Sequence, residues 1–229
     1  MEERRIGRGV FLATVAGGLS SLWWGKAAWG AVSGAISPAA QALLPILPSQ
    51  GWRIYTVADS MPVFDPATWH LKIGGMVEQP QTLSYDELRA LPQASQVTDF
   101  HCVTGWTVNG VHWRGVRFKD LLAAAKPLPG AHALEFVSAE VPYIDYLTLD
   151  QAMLPNVMLA WEMDGKPMLQ EHGAPVRVVI PEMYGYKNVK WVAEINLVAM
   201  PGVGFWEKPE NGSYDNDAWV GRSNGYGIA

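Results

Sequence analysis

The sequence predicts an α+β fold dominated by a mixed sheet, and three observations carry that expectation. Short alternating or apolar runs recur along the chain, helical patterns are few and brief, and no fixed-period repeat links them. The composition is that of a folded protein: 229 residues, 49% hydrophobic and only 17% charged. Such a chain is too apolar for disorder and long enough for one main domain. A net charge of −5 without a long basic run argues against a nucleic-acid partner, since phosphate neutralisation needs clustered Lys and Arg.

In chain order, residues 1–37 read as a twin-arginine-like signal or membrane anchor. Arg4, Arg5 and Arg8 precede an uncharged run at 9–25, and Trp23, Trp24 and Trp29 suit a membrane interface. The Arg4-Arg5 pair points to the twin-arginine export route, although the expected Phe-Leu pair is displaced to Phe11-Leu12. Cleaved signal and retained anchor stand equally open, with an amphipathic first helix as the third reading. Residues 38–50, uncharged and carrying Pro38, Pro45 and Pro48, form a linker. The main domain is expected over 51–200 and a tail over 201–229.

Within that domain, 69–77 alternates as a strand with a Gly-Gly interruption. Ser84 and Glu87 form a capping box ahead of Leu88 and Leu91, predicting a short helix that stops before Pro92. A second helix is predicted over 118–126. Strand-like runs fall at 134–137, 157–161, 176–180 and 191–198, with a turn at 163–166.

Dinucleotide, P-loop, zincin and hydrolase signatures are all missing. Cys102 is the one cysteine, which excludes intramolecular disulfides, four-Cys zinc sites, Cys-ligated iron–sulfur clusters and CxxCH haem attachment. Three Gly- and Trp-rich segments remain: DFHCVTGW around Cys102, EHGAPVR with His172 and Arg177, and YGYKNVKW ending in Lys190-Trp191. A thiol at a strand-to-loop junction suits a soft or high-valent metal, and equally suits an inert buried position. Glycine loops with an adjacent Arg177 or Lys190 suit an anion, although either charge could be solvated or salt-bridged. His101 and His172 read as hydrogen-bonded loop histidines. The residues alone therefore give an exported α+β domain holding a phosphate-bearing ligand near its only Cys.

Taken together, DFHCVTGWTVNGVHWRGVRFKDLL and HGAPVRVVIPEMYGYKNVKWVAEI resemble the molybdopterin-binding domain of the sulfite oxidase superfamily, over about Arg53 to Val198. Within it the chain is most similar to the exported bacterial branch that includes the catalytic subunit of periplasmic methionine sulfoxide reductase. The resemblance implies the sulfite oxidase-type fold and a molybdenum–molybdopterin cofactor with Cys102 as thiolate ligand to the metal. It carries cofactor contacts to Tyr55, Thr56, Ser138, His172, Arg177, Asn188, Val189 and Lys190. Arg177 and Lys190 suit the terminal phosphate, and the others suit the pterin edges. His172 departs from the Asn of some relatives.

Sulfite oxidases use arginines near the metal, one shortly after the Cys, whereas Val103 to Trp106 offers no cation. Trp106, Tyr143 and Tyr186 would instead line a pocket for a neutral S-oxide or N-oxide, and each equally suits buried aromatic core. The resemblance further implies two-electron oxygen-atom transfer with electrons from a membrane haem-b subunit, and a place in the periplasm or on the outer face of the cytoplasmic membrane. The stretch after 198 is expected to be too short for an extra dimerisation domain, and the chain to hold no haem of its own. Sulfite dehydrogenase-type oxidation of a sulfur oxyanion, and a non-catalytic homologue, are the alternatives.

Overall fold

The computed structural model describes residues 51–221; the predicted export segment at 1–37 and linker at 38–50 lie outside them. Among the described residues ten strands make two five-stranded sheets. The first sheet comprises β1 (His70–Gly75), β2 (Gln81–Ser84), β5 (Ala133–Ser138), β6 (Ile144–Thr148) and β10 (Val192–Val198), in the order β2-β1-β10-β5-β6. Only β1 and β10 run parallel, which brings the first and last strands together at the sheet centre. The second contains β3 (Gln93–His101), β4 (Thr107–Arg117), β7 (Met158–Met163), β8 (Lys166–Pro167) and β9 (Arg177–Val179), with β8 and β9 both paired to β7. This is the mixed, sheet-dominated α+β fold that the sequence predicts.

Helices are few. In α1 (Tyr85–Ala90) the capping box forms as expected: Glu87 N donates to Ser84 Oγ, and Ser84 N donates back to Glu87. The predicted helix at 118–126 shortens to α2 (Phe118–Leu121), followed by turns. Pro127 disfavours a helical residue before it, and Lys126 adopts a φ of 54°. A third helix, α3 (Leu149–Ala152), opens on a Thr148/Gln151 capping box. Among the described residues no helix is long and apolar enough to cross a membrane.

Alternation along the strands creates two apolar clusters. Leu71, Ile73, Phe136, Leu147 and Ile195 of the first sheet pack with Val116, Leu159, Trp161 and Val178 of the second in the main core. Met158, Ala160 and Val179 point to the other face of the second sheet, joining Val111 and Trp113 in a smaller cluster. Strand β7 is thus buried on both faces, as its unbroken apolar run requires. Alternation along β4 turns Trp113 toward the small cluster and Val116, three residues on, toward the main core, while the register shift at Arg114/Gly115 leaves Trp161 of β7 without a partner across the ladder. The same alternation puts Arg177, opposite Ala160, on the face of Val179. A charge is thereby delivered to the edge of an apolar cluster, which is where the functional cleft opens.

Candidate functional site

The cleft has a volume of about 250 Å³ and collects residues from five segments: 52–57, 100–106, 140–143, 171–190 and 206–214. Of the predicted site residues, Tyr55, Cys102, Trp106, Tyr143, His172, Arg177, Tyr186, Asn188 and Lys190 line it; Thr56, Ser138 and Val189 do not. The polar groups of those three are taken up by other parts of the protein. The Thr56 hydroxyl donates to Glu140, Ser138 Oγ donates to the Lys190 carbonyl and accepts from Glu140 N, and the Val189 carbonyl accepts from Val178 N.

Cys102 sits at the end of β3, where the chain makes a tight turn. Its backbone N–H donates to the Trp106 carbonyl at 2.9 Å, and its carbonyl accepts from Gly105 N at 3.1 Å. The thiol is partly exposed and lies 3.2 Å from the Thr104 hydroxyl. His101, the neighbouring candidate, turns its ring to the Thr107 hydroxyl. Among the described residues no group of three or more His, Cys, Asp or Glu is placed to hold a metal by protein ligands alone. A metal here would need Cys102 together with ligands that come from outside the chain.

Arg177 is the unusual charge. It is 3% exposed, and its guanidinium donates only to the His172 and Asn188 carbonyls, at 3.1 and 3.3 Å. The rings of Trp52, Phe100 and Trp113 surround it, their centroids 5.2–5.9 Å from the guanidinium carbon. Among the described residues it makes no ion pair, and its Nε has no hydrogen-bond partner. Burial lowers its pKa to about 10, which still leaves it charged at neutral pH. Aromatic faces offset part of the desolvation cost, but a buried cation without a carboxylate remains under-compensated.

Lys190 adds a second positive charge. Its ammonium donates to the Tyr55 carbonyl at 2.6 Å and lies 3.8 Å from the centre of the Trp191 ring. Burial, and then repulsion from Arg177, bring its pKa down to about 8. His172 is held neutral by the same causes in the same order, its pKa falling to about 4, and its Nδ1 is without a partner. Two glycines allow this crowding. Gly173 has a φ of 109°, and a Cβ there would lie 2.8 Å from Lys190 Cβ. At Gly185 a Cβ would come within 2.4 Å of the Phe100 ring.

Asn188 contributes its position more than its amide. Its Oδ1 accepts from Ile180 N at 2.8 Å and its backbone N–H donates to the Gly185 carbonyl. The Tyr143 hydroxyl donates to the Tyr186 carbonyl at 2.5 Å, and the Tyr186 hydroxyl to the Asp215 carbonyl at 2.7 Å. Burial raises both phenol pKa values, so neither ionises near neutral pH.

Sequence reasoning missed several parts of the site. Trp52 and Phe100 complete the box around Arg177, and Glu140, nearly buried, accepts from Val57 N to fix the 55–58 segment at the rim. Lys187, within YGYKNVKW, is fully buried between Asp145 and Glu207, at 2.6 Å from each. A Lys set among the aromatic residues of this loop was the only signal available for it. The described part of the tail, 201–221, packs against this loop: Tyr184 N donates to the Ala218 carbonyl and Val220 N to the Glu182 carbonyl.

The cleft fits an anionic, metal-bearing pterin. It offers an uncompensated guanidinium, a second cation, unpartnered polar atoms on Arg177, His172 and Trp106, and a thiol at the same opening. Comparison with known proteins agrees. The model of the oxidoreductase molybdopterin binding domain matches residues 58–206. The chain is 34% identical over 144 residues to the uncharacterized oxidoreductase YuiH of Bacillus subtilis, covering 63% of this chain and 72% of that one. It is 30% identical over 172 residues to the protein-methionine-sulfoxide reductase catalytic subunit of Campylobacter jejuni, covering 67% and 58%, and 34% identical over 145 residues to that of Xanthomonas axonopodis, covering 57% and 45%. The chain thus spans about half the length of these two reductase subunits. Among solved structures, the sulfane dehydrogenase SoxCD of Paracoccus pantotrophus superposes with a TM-score of 0.61 at 23% identity, over 66% of this chain and 43% of that one.

Proposed function

The chain belongs to the oxidoreductase molybdopterin binding domain family, near the methionine sulfoxide reductase branch of the sulfite oxidase type, and on that premise we propose that it reduces a neutral S-oxide or N-oxide such as methionine sulfoxide. The observation that carries this reading is the cleft itself, where the Cys102 thiol and the uncompensated Arg177 share one opening with a turn, Val103 to Trp106, that holds no cation.

Arg177 and Lys190 hold the anionic phosphate of the cofactor, each exchanging an expensive lone charge for a charge-assisted hydrogen bond. Cys102 ligates molybdenum as thiolate, its direction set by the turn that ties Cys102 N to the Trp106 carbonyl. His172, neutral at pH 7, presents Nδ1 to a polar pterin edge without adding repulsion beside Arg177. When bound, the molybdenum–pterin group supplies two-electron redox chemistry for oxygen-atom transfer. In the balanced conversion the sulfoxide takes up two electrons and two protons, its sulfur–oxygen bond breaks, and the products are the thioether and one water. Tyr143 and Tyr186, whose hydroxyls are committed to carbonyls, shape the pocket and leave proton supply to water at the cleft mouth.

Electrons come from a membrane haem-b subunit, and the Arg4-Arg5 segment directs export by the twin-arginine route to the periplasm or the outer face of the cytoplasmic membrane. One observation favours a second reading: Arg53 also lines the cleft, and an anion-binding rim would suit sulfite dehydrogenase-type oxidation of a sulfur oxyanion. A dye assay separates the two. The proposal expects methionine sulfoxide to oxidise reduced benzyl viologen; sulfite-dependent reduction of ferricyanide, with no sulfoxide turnover, would replace it by the second reading.

A further inference from the structure

One wall of the cleft comes from a stretch that no cofactor contact uses. Trp206 and Tyr214, both partly exposed, line the same cavity as Cys102. They belong to a continuous row of rings. Tyr143 stacks on Phe205 with centroids 5.5 Å apart, Phe205 meets Trp206 edge-on at 5.2 Å, Trp206 lies 6.3 Å from Tyr214, and Tyr214 lies 5.1 Å from Tyr186. The cations that line the cleft, Arg53, Arg177 and Lys190, all come from other segments.

The row is built rigidly. Phe205 N donates to the Ile144 carbonyl, Tyr214 N to the Trp206 carbonyl, and Asn211 Nδ2 to the Phe205 carbonyl. Lys187 grips the segment from beneath, through Glu207 beside Trp206 and through Asn216 two residues beyond Tyr214. A buried lysine with two carboxylates is a costly arrangement for stability alone. Its geometric result is to fix the two aromatic side chains over the cleft.

We propose that the segment 204–216 forms the substrate wall, and that Trp206 and Tyr214 select the organic group of the S-oxide by burying apolar substituents against their ring faces, with Lys187 as a positioning residue. This rests on the S-oxide reading above and adds the substrate class: organic S-oxides with an aryl or long alkyl-thioether arm are preferred over small ones. Aromatic faces attract such arms and soft sulfur through dispersion and quadrupole contacts, which a small polar S-oxide exploits little.

The test compares methyl phenyl sulfoxide with dimethyl sulfoxide in the full-length, cofactor-loaded protein. In Trp206→Ala and Tyr214→Ala the ratio of kcat/KM for the aryl substrate to that for the small one falls about tenfold, while Trp206→Phe keeps most of it. Calorimetric binding of the unreactive analogue methyl phenyl sulfone weakens by a similar factor in both alanine variants. Lys187→Met lowers the same ratio, which simple loss of folded protein would not do. An unchanged ratio and unchanged sulfone affinity in both alanine variants, with wild type turning over both S-oxides, overturns the wall and leaves the S-oxide reading intact. Wild type that turns over neither S-oxide overturns both.

Discussion

Lys187 and Lys190 lie on one loop, yet their surroundings are opposite. Behind the loop, Lys187 has Asp145 and Glu207 at 2.6 Å, with Asn216 as a further acceptor. Burial pulls its pKa down, but the two carboxylates outweigh that and hold it above the usual lysine value. In front, Lys190 donates to carbonyls and packs on the Trp191 ring, and the attraction of Glu140 is outweighed by burial and by Arg177, so that its pKa falls to about 8, beside an Arg177 that makes no ion pair among the described residues. The difference teaches how to read buried charge. Where the protein supplies counter-charges, the cation fixes structure; where it withholds them, the cation is kept for a ligand that brings its own negative charge.

The largest effect expected from this contrast is at the rear. Lys187→Met leaves Asp145 and Glu207 facing each other without a cation and costs about 3–5 kcal/mol of apo-protein stability, read by urea unfolding. Asp145 already has its carboxyl pKa raised by burial, and losing Lys187 raises it further. A folded carboxyl with a raised pKa binds a proton that the unfolded chain lacks, so stability falls as pH rises through the folded pKa. The deficit of the variant is therefore expected to shrink on acidification from alkaline pH toward about 7, where wild-type Asp145 titrates; an equal deficit at all pH values would break the comparison.

At the front the effect moves from folding to loading. Arg177→Met is expected to change apo-protein stability by no more than about 1 kcal/mol, because an under-compensated charge is exchanged for an apolar chain. Cofactor retention falls about 100-fold, the loss of charge-assisted hydrogen bonds to a phosphate, measured as molybdopterin content after dialysis. Arg177→Met that unfolds the protein while Lys187→Met does not would reverse the assignment.

A smaller effect distinguishes the neutral histidine between them. His172 has its folded pKa lowered to about 4 from an unfolded value near 6.5. Its contribution is fully present above the unfolded value and is lost as pH falls from about 6.5 to about 4, where the unfolded chain alone takes up a proton. Urea unfolding of the apo-protein should thus show a shallower loss between those pH values in His172→Asn than in wild type; identical slopes would mean that the imidazole charges freely in the cleft.

Much of the fold was legible because local rules decided it. Ser84 and Glu87 announced α1, and the strand-like runs at 134–137 and 191–198 announced β5 and β10. The capping box Thr148/Gln151 obeyed the same rule and went unread, because the helix it starts is a single turn. Residues 118–126 looked helical by composition, but Pro127 and the left-handed Lys126 end the helix early. Of the site, the residues that aim at the cleft were visible through their motifs. The Arg177 box was not, since Trp52, Phe100 and Trp113 come from three separate segments that meet only through tertiary packing. Nor could the Asp145–Lys187–Glu207 cluster be foreseen, because tertiary packing alone joins a strand of the first sheet, the 184–191 loop and the tail. Ser138 and Val189 face inward and the exposed Thr56 turns its hydroxyl to Glu140, a distinction that only side-chain direction makes.

The central claim, that Cys102 binds molybdenum in a cofactor held by the uncompensated cations, is tested most directly by metal analysis and absorption spectroscopy of purified wild type and Cys102→Ser. The account predicts stoichiometric molybdenum in wild type, with a thiolate-to-molybdenum absorption band that disappears in the variant. Wild type free of molybdenum despite ample molybdate and cofactor supply, or a band unchanged in Cys102→Ser, would contradict it.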